Sequence, residues 1–496
     1  MKSKPLLSKS RYVQGLQCPK MLWMGLHQPE LAEPFDEATE WRFAIGHRVG
    51  ELAQQLFPGG VLIKEDHLHL TDAITSTNNC LVNNIPAIFE ATASANLLIS
   101  RVDILYRVPR KKNTWDLYEV KMSGSVKDQH VPDVALQRYC FERAGYDIRH
   151  TFLMHINTSY LRLGDLETDC LLTSKDITNR VLDNMQGIEK RTRDLIKVMD
   201  SKKCPKVEPG KQCTSPYLCP FYDQCNDPPE DYTIHELMGK GKKVAQLEEM
   251  GIHYLREIPP DFPLTGRNAR QLESFRKKKP VTDPAAIRRF IDDLEYPLYF
   301  LDFETVGCAL PLFEKSRPYH NVPFQFSLHI QKKKGAKCTH VKFLQKDRSD
   351  PREALTLKLL KSIGKKGSIL AWNMSFEKSC IRHLAEALPK HQKKLLDLLP
   401  RFKDLMVPFR QGAYSDCRFH GSTSLKNVLP VLVPKLNYGK LNIQEGQTAS
   451  LKAEKWYSGY MGKEEWKKTY RDLIKYCKLD TLAMVEILRV LKKVCD

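Results

Sequence analysis

The stretch LLISRVDILYRVPRKKNTWDLYEVKM, residues 97–122, decides the fold of the first half of the chain. Residues 97–108 read as a strand rich in Leu, Ile and Val, PRKKN (109–113) as a turn, and TWDLYEVKM (114–122) as a second strand, which together predict a β-hairpin. Side chains alternate along a strand, so Trp115, Leu117, Glu119 and Lys121 share a face. Asp103 stands sixteen positions before Glu119, on the first strand. A carboxylate on one strand and Glu-x-Lys on the next suit metal-dependent hydrolysis of phosphodiesters. Two carboxylates hold a hard divalent cation, Mg2+ or Mn2+, through oxygen. A lysine orients the attacking water and offsets charge developing on the phosphate. By itself the pattern also describes a solvated strand face with a surface ion pair, so its surroundings decide.

Upstream, EWRFAIGHRVGELAQQLF (40–57) predicts an amphipathic helix with Trp41, Ile45, Val49, Leu52 and Leu56 on one side. His47 sits off that stripe, with Gly46 and Gly50 beside it. Downstream, DVALQRYCFERAG (133–145) predicts a helix with Gly145 just past its end. In chain order the chemistry-bearing residues are His47, Asp103, Glu119, Lys121 and Gln137. That order resembles the RecB-like branch of the PD-(D/E)xK nuclease superfamily. The resemblance implies that His47, Asp103 and Glu119 bind the catalytic metal, that Lys121 completes the site and that Gln137 supports it. Glu90 matches an upstream acidic residue often carried by that branch. Tyr139 follows Gln137 by two residues, closer than the family's tyrosine.

The segment KCPKVEPGKQCTSPYLCPFYDQC (203–225) holds Cys204, Cys213, Cys219 and Cys225 at gaps of eight, five and five residues. These are not the two-residue knuckles of most structural zinc sites. Cys18, in GLQCPKMLW (15–23), is the other candidate ligand. Such thiolates bind zinc or an iron–sulfur cube. The RecB-like resemblance implies the cube. A subgroup that includes the nucleases of CRISPR adaptation and the AddB-type helicase-nuclease subunit carries one cysteine before the nuclease core and three after it. The 4Fe–4S cluster then staples the ends of the domain. Here that implies Cys18, Cys213, Cys219 and Cys225, with Cys204 competing with Cys18.

A third constellation occupies the C-terminal half. LYFLDFET (298–305) predicts a buried strand on which Asp302 and Glu304 share a face. SILAWNMSFEKSCIRHLAE (368–386) reads as strand, turn and helix, with Asn373 and Glu377 at the junction. RDLIKYCKLDTLAMVEILRVLKKV (471–494) is a long amphipathic helix on which Tyr476 and Asp480 are one turn apart. Four carboxylates from three elements can hold two divalent cations and clamp both oxygens of a phosphodiester displacement. The set resembles the DEDD exonucleases of the DnaQ-like, ribonuclease-H-type fold. It implies Asp302, Glu304, Glu377 and Asp480 as metal ligands and Tyr476 as the water-positioning tyrosine of the DEDDy subtype. Where that family reads N-x-x-F-D, this chain reads N-M-S-F-E, with Glu377 for the aspartate. Asp404, in FKDLMVPF (402–409), is an acidic alternative, and GSTSLKNVLP (421–430) is similar to the family's serine–leucine–lysine segment.

The whole chain has 496 residues, enough for two or three domains. The expected class is multidomain α/β. A PD-(D/E)xK restriction-endonuclease-like domain spans 1–228, a short helical bridge 229–281, and a ribonuclease-H-like DEDD domain 282–496. Within the bridge, residues 238–259 read as two short helices around Gly251, either a spacer or a helix-hairpin-helix-like element gripping phosphates. Asp283 is placed to cap a helix that opens with Pro284. Lys plus Arg exceed Asp plus Glu by 78 to 59, a net charge of +19, which favours a polyanion. The run Arg276, Lys277, Lys278 and Lys279 is the candidate nucleic-acid contact. No apolar run is long enough for a membrane span and no secretory h-region follows the N-terminus, so a cytoplasmic location is expected. Fourteen cysteines in a chain this long suit a reducing compartment. The combined expectation is a bacterial metal-dependent DNA nuclease, an exonuclease, serving repair, recombination or defence. RNA is the alternative substrate, a helicase or other repair or defence protein an expected partner, and a nucleic-acid-binding scaffold with one inactive domain the rival.

Overall fold

The computed structural model describes residues 5–66, 68–111, 113–227, 229–237 and 241–496. The chain divides into two compact units, Met1–Pro228 and Pro229–Asp496. Both are mixed α/β.

The first unit is built on one sheet. Its strands are β1 (Leu7–Ser8), β2 (Val61–Leu62), β3 (Ala87–Ala95), β4 (Leu98–Arg107), β5 (Thr114–Lys121), β6 (Asp147–Ile156) and β7 (Leu172–Asp176). The order is β2-β3-β4-β5-β6-β7, with β1 added to β4. The expected hairpin is β4 and β5, paired antiparallel. Its turn closes through Val108 N–H donating to Thr114 O at 2.9 Å, with Arg110 in the left-handed region at φ 63°. β5 and β6 run parallel, and parallel neighbours need a crossover. The helix His130–Arg143 supplies it and is packed on several sides by Val131, Val134, Leu136, Cys140 and Phe141. These join Trp115, Leu117 and Leu153 in the unit's core. The helix Glu37–Gln54 is capped by Asp36, whose carboxylate accepts from Thr39 N–H at 2.8 Å. It buries Trp41, Ile45, Val49 and Leu52 as the periodicity predicts, but it ends at Gln54, and Leu56 beyond it is half-buried.

The second unit carries a five-stranded sheet of β9 (Leu298–Val306), β10 (Val322–Gln331), β11 (Thr339–Leu344), β12 (Ile369–Ala371) and β13 (Phe402–Asp404), plus a two-stranded pair, β8 (Val281–Thr282) with β14 (Tyr414–Ser415). The order is β11-β10-β9-β12-β13. It is antiparallel from β9 to β11 and parallel from β9 to β13. Alternation along β9 sends Tyr299, Leu301 and Phe303 into one core and Leu298, Phe300 and Val306 into another. Asp302 and Glu304 fall on the second face, beneath the 33-residue helix Lys463–Cys495. Asp283 caps the helix Pro284–Asp292 by accepting from Ala286 N–H at 3.0 Å.

Residues 229–281 cluster with the second unit. They hold a small core of Ile234, Leu237, Val244, Leu247, Leu255 and Leu272. Met238, Gly239 and Lys240, the start of the stretch read as two helices around Gly251, lie outside the described residues. The described part forms the helix Lys242–Glu249, then Gly251 at φ 73°, then a single 3-10 turn at Leu255–Glu257. The segment is tied to the rest of its unit at Glu236, whose carboxylate pairs with His420 at 2.9 Å, while within the segment its carbonyl accepts from Gln271 Nε2 at 2.6 Å. Gly421 passes so close that a Cβ there would lie 1.6 Å from Glu236 O, and its φ is 67°. Gly421→Ala therefore meets both a clash and a left-handed backbone. It is expected to destabilise the second unit by more than about 1 kcal/mol, measured by denaturant unfolding, with faster amide exchange across 229–281.

Candidate functional site

In the first unit, sheet register assembles the acidic residues. Phe89 pairs with Ile104 and Ala91 with Val102, which sets Glu90 opposite Asp103. Ile104 pairs with Tyr118, and one step further Asp103 comes level with Glu119. The ladder between β4 and β5 ends there, and the Asp103 carboxylate replaces it by accepting from Val120 N–H at 2.6 Å. Glu90 sits in the left-handed region at φ 56°, unusual for a strand residue with a side chain.

Glu119 is the hub of this site and is 1% exposed. Its Oε1 accepts from Lys121 Nζ at 2.5 Å and from Lys9 Nζ at 3.0 Å, and its Oε2 accepts from Gln137 Nε2 at 2.7 Å. Asp133, one helical turn before Gln137, accepts from Lys121 Nζ at 2.9 Å and from Gln137 Nε2 at 3.2 Å. Burial opposes a charge on Glu119, but Lys121 and Lys9 outweigh it and hold the carboxyl below the usual range. Asp103 is pushed up to about 7 by burial and then by the charge of Glu119. The expected Asp103, Glu119, Lys121 and Gln137 therefore converge. His47 is exposed on its helix, within electrostatic reach of Glu90, and no hydrogen bond or ion pair holds it among the described residues. Two residues of the site escaped the sequence reading. Asp133 had a usable signal, its spacing of four from Gln137. Lys9 had none, because a strand pairing across the chain brings it in.

In the second unit, Asp302, Glu304 and Cys477 present ligand atoms within 4.8 Å of one another. The Cys477 thiol donates to Asp302 Oδ2 at 3.3 Å. Asp480 accepts from Tyr438 Oη at 2.5 Å. Tyr438 and Tyr476 pack with ring centroids 5.9 Å apart. Burial, and then the mutual repulsion of the acids, push Asp302, Glu304 and Glu377 well above the usual carboxyl range. Asp480 rises to about 7 through burial, moderated by Tyr438 and Lys426. Glu377 is 3% exposed, and its Oε2 has no hydrogen-bond partner. Asp404, the acidic alternative, is engaged. It accepts from Asn373 N–H and Met406 N–H, both at 3.0 Å, and pairs with Arg410 at 3.2 Å. These bonds hold Asn373 at φ 67°, the turn that launches the helix Ser375–Ala387 and aims Glu377. Ser424 caps the helix Leu425–Leu432, from which Lys426 acts on Glu304 and Asp480. The donor set is mostly hard oxygen, which suits Mg2+ or Mn2+. The unpartnered Glu377 oxygen fits a cation ligand.

Cys18, Cys213, Cys219 and Cys225 line one cavity with Met21, Met24 and Phe221. Cys204 is exposed, lies outside that lining, and donates to Pro205 O at 3.7 Å. Four thiolates around one zinc at about 2.3 Å would sit about 3.8 Å apart. Among the described residues no three of these sulfurs lie within 4.8 Å of one another. Independent bonds tie the same segments: Gln17 Nε2 donates to Gln212 O and Tyr217 O, both at 2.7 Å, and Trp23 Nε1 to Ser201 O at 2.8 Å.

Arg276, Lys277, Lys278 and Lys279 are exposed at the end of the helix Gly266–Lys277. Arg276 donates to Ile258 O at 2.7 Å, Lys277 pairs with Glu273, and Lys278 is the left-handed cap. Cations there also complement the helix dipole. No helix among the described residues is long and apolar enough to cross a membrane.

Residues 299–424 match a domain of unknown function, DUF2779. The match spans Asp302, Glu304, Glu377 and Asp404 and ends before Tyr476 and Asp480. The chain is 23% identical over 362 residues to the uncharacterized protein UU173 of Ureaplasma parvum, covering 64% of this chain and 51% of that protein. It is 23% identical over 234 residues to the uncharacterized protein MG366 of Mycoplasma genitalium, and over 236 residues to the MG366 homolog of Mycoplasma pneumoniae. Each of these covers 44% of this chain and 35% of the relative. The chain thus spans about half or less of these relatives.

The raised carboxyls set a pH dependence. Asp103 and Asp480 titrate near 7 in the fold but near 3.8 when exposed, so the folded state binds more protons between those values. Without divalent cations, stability is expected to fall as pH rises from about 4 through 7. Added Mn2+ is expected to raise the Tm more at pH 8 than at pH 5, because protons no longer compete for the carboxylates. Asp302→Asn is expected to raise the cation-free Tm at pH 8 and to shrink the Mn2+ shift; scanning fluorimetry reads both.

Proposed function

We propose that the protein is a metal-dependent nuclease with two phosphodiesterase centres, one in each unit, and an iron–sulfur cluster in the first. The observation that carries this reading is the gathering of the buried Glu304, Glu377 and Asp480 around the half-buried Asp302, with one Glu377 oxygen left unpartnered. Such a set is unfavourable without added positive charge. Mg2+ or Mn2+ held there would supply that charge, an activated water and a clamp on the phosphate. The chain's own groups do the rest. Tyr438 orients Asp480, and Tyr476, one turn before Asp480, faces the same acids. In the first unit Asp103 and Glu119 are the metal ligands, Gln137 holds Glu119, and Asp133 positions the Lys121 ammonium.

The mixed sheet of the second unit supports the ribonuclease-H-type resemblance. The β3–β4–β5 meander with its parallel β6 supports the PD-(D/E)xK one. Cys18, Cys213, Cys219 and Cys225 are the cluster ligands, closing the first unit end to end. DNA is the substrate favoured by the net positive charge, and RNA is read by competition in the same assay. Purified protein with Mn2+ is expected to cut single-stranded or duplex DNA. Glu119→Ala or Asp302→Ala should each remove one part of the activity by at least about a hundredfold, the usual scale for a group acting in the transition state. Loss with Glu119→Ala alone would mean that the second unit binds nucleic acid without cutting it, the reading that glutamate at 377 favours. Uncut DNA with every cation would overturn the nuclease reading. Anaerobically purified protein is expected to absorb broadly in the visible-blue, and Cys219→Ala to lose that band.

A further inference from the structure

Lys9 reaches Glu119 from 110 positions away. The route is a gap in the sheet. β3 pairs with β4 along nearly its whole length, so one edge of β4 is filled. β5 covers the other edge only at Ile104–Arg107. Further back, β1 takes that edge, with Leu7 opposite Leu98 and Ser8 opposite Ile99, in parallel. The backbone of this insertion is firmly held. Leu7 is fully buried, and Arg11 Nη1 donates to Leu6 O at 2.7 Å. Ser8 caps the helix Lys9–Gln17, of which Lys9 is the first residue. The Lys9 side chain, by contrast, is 28% exposed, much as Lys121 is at 27%, so both ammoniums can reach solvent.

Two ammoniums share one oxygen, Glu119 Oε1. They are not equivalent. Lys121 has a second anchor in Asp133. Lys9 has Glu119 as its sole hydrogen-bond partner among the described residues. An oxygen engaged by two ammoniums binds a divalent cation poorly, so one of them has to yield, and Lys9 is the one without a second hydrogen bond, although Asp133 and Asp103 also attract it. Its position at the start of a helix, where the unpaired N–H groups point outward, favours an anion beside it.

We infer that Lys9 is a phosphate ligand held in reserve: it rests on Glu119, yields that oxygen when a divalent cation takes the carboxylate, and passes to a phosphate of the nucleic-acid backbone at the mouth of the site. The inference rests on reading the first unit as a cation-holding phosphodiesterase centre. It assigns Lys121 and Lys9 different tasks, the first fixed within the site and the second carried to the substrate.

The test uses Lys9→Met, which keeps the length and removes the charge, in the full chain carrying Asp302→Asn to weaken cation binding at the second centre. Mn2+ affinity is read by calorimetry without nucleic acid. Affinity for a short fluorescein-labelled single strand of DNA is read by anisotropy in Ca2+. Lys9→Met is expected to tighten Mn2+ binding about tenfold, the scale of one lost charge-assisted hydrogen bond, and to weaken DNA binding by a similar factor. Lys9→Arg is expected to keep DNA binding near the parent's. Opposite signs in the two assays cannot come from a merely structural ion pair. Unchanged or weaker Mn2+ binding in Lys9→Met would overturn the inference, as would unchanged DNA binding. Lys9→Gln serves the same comparison where the methionine variant folds poorly. Failure of the parent protein to cut DNA would sink the nuclease reading while leaving the Mn2+ titration to judge Lys9.

Discussion

The constraint on which both units turn is the holding of several carboxylates together out of water. Burial alone disfavours each ionised acid, and neighbours of the same sign add to the penalty. A fold tolerates this only where other contacts over-determine the geometry. In the first unit those contacts are the β-ladder and the crossover helix. In the second they are the apolar faces of β9 and of the helix Lys463–Cys495, whose Leu473, Ala483, Ile487, Leu488 and Leu491 are buried. The apolar packing brings the acids together; nothing in the acids themselves would.

Backbone groups then fix where each carboxylate points. Asp103 takes the N–H of Val120 at the place where the β4–β5 ladder stops, so a broken sheet bond becomes the anchor of a site residue. Asp404 does the reverse service. It spends its oxygens on two backbone N–H groups and Arg410, holds the left-handed turn at Asn373, and leaves Glu377 as the acid with an unused oxygen. The two acids differ in what surrounds them, and their spacing in the chain carries no trace of that.

Short-range patterns were therefore the legible part. The hairpin at 97–122, the alternation of Asp302 and Glu304, the Asp283-Pro284 helix start and the Tyr476–Asp480 turn all follow from periods of 2 and 3.6 and from capping chemistry, and all are present. The joins between distant stretches were illegible. Lys9 depends on a two-residue parallel strand filling an edge left by β5. Tyr438 lies in a loop with no periodicity, yet it bonds Asp480. Cys477 reads as one more apolar position of a helix, although its thiol bonds Asp302. Residues 229–281 read as a bridge because their helices are short. Short helices cannot bury their apolar faces alone, and these do so within the second unit. His47, which the resemblance names as a metal ligand, is exposed on its helix and acts on Glu90, opposite Asp103, without a hydrogen bond among the described residues.

The two centres differ in how much charge they leave over. In the first, Asp103, Glu119, Asp133 and Glu90 face Lys9, Lys121 and Arg101, so four negative groups meet three positive ones. In the second, Asp302, Glu304, Glu377 and Asp480 sit together with Lys426 acting on Glu304 and Asp480, and that lysine also pairs with Glu445 at 3.6 Å. A centre already near neutrality would take up a divalent cation only as one of its ammoniums left. A centre with four acids and one shared lysine would have negative charge left for divalent cations without any side chain leaving. If both are phosphodiesterase sites, the first therefore couples cation uptake to the movement of a lysine, and the second does not.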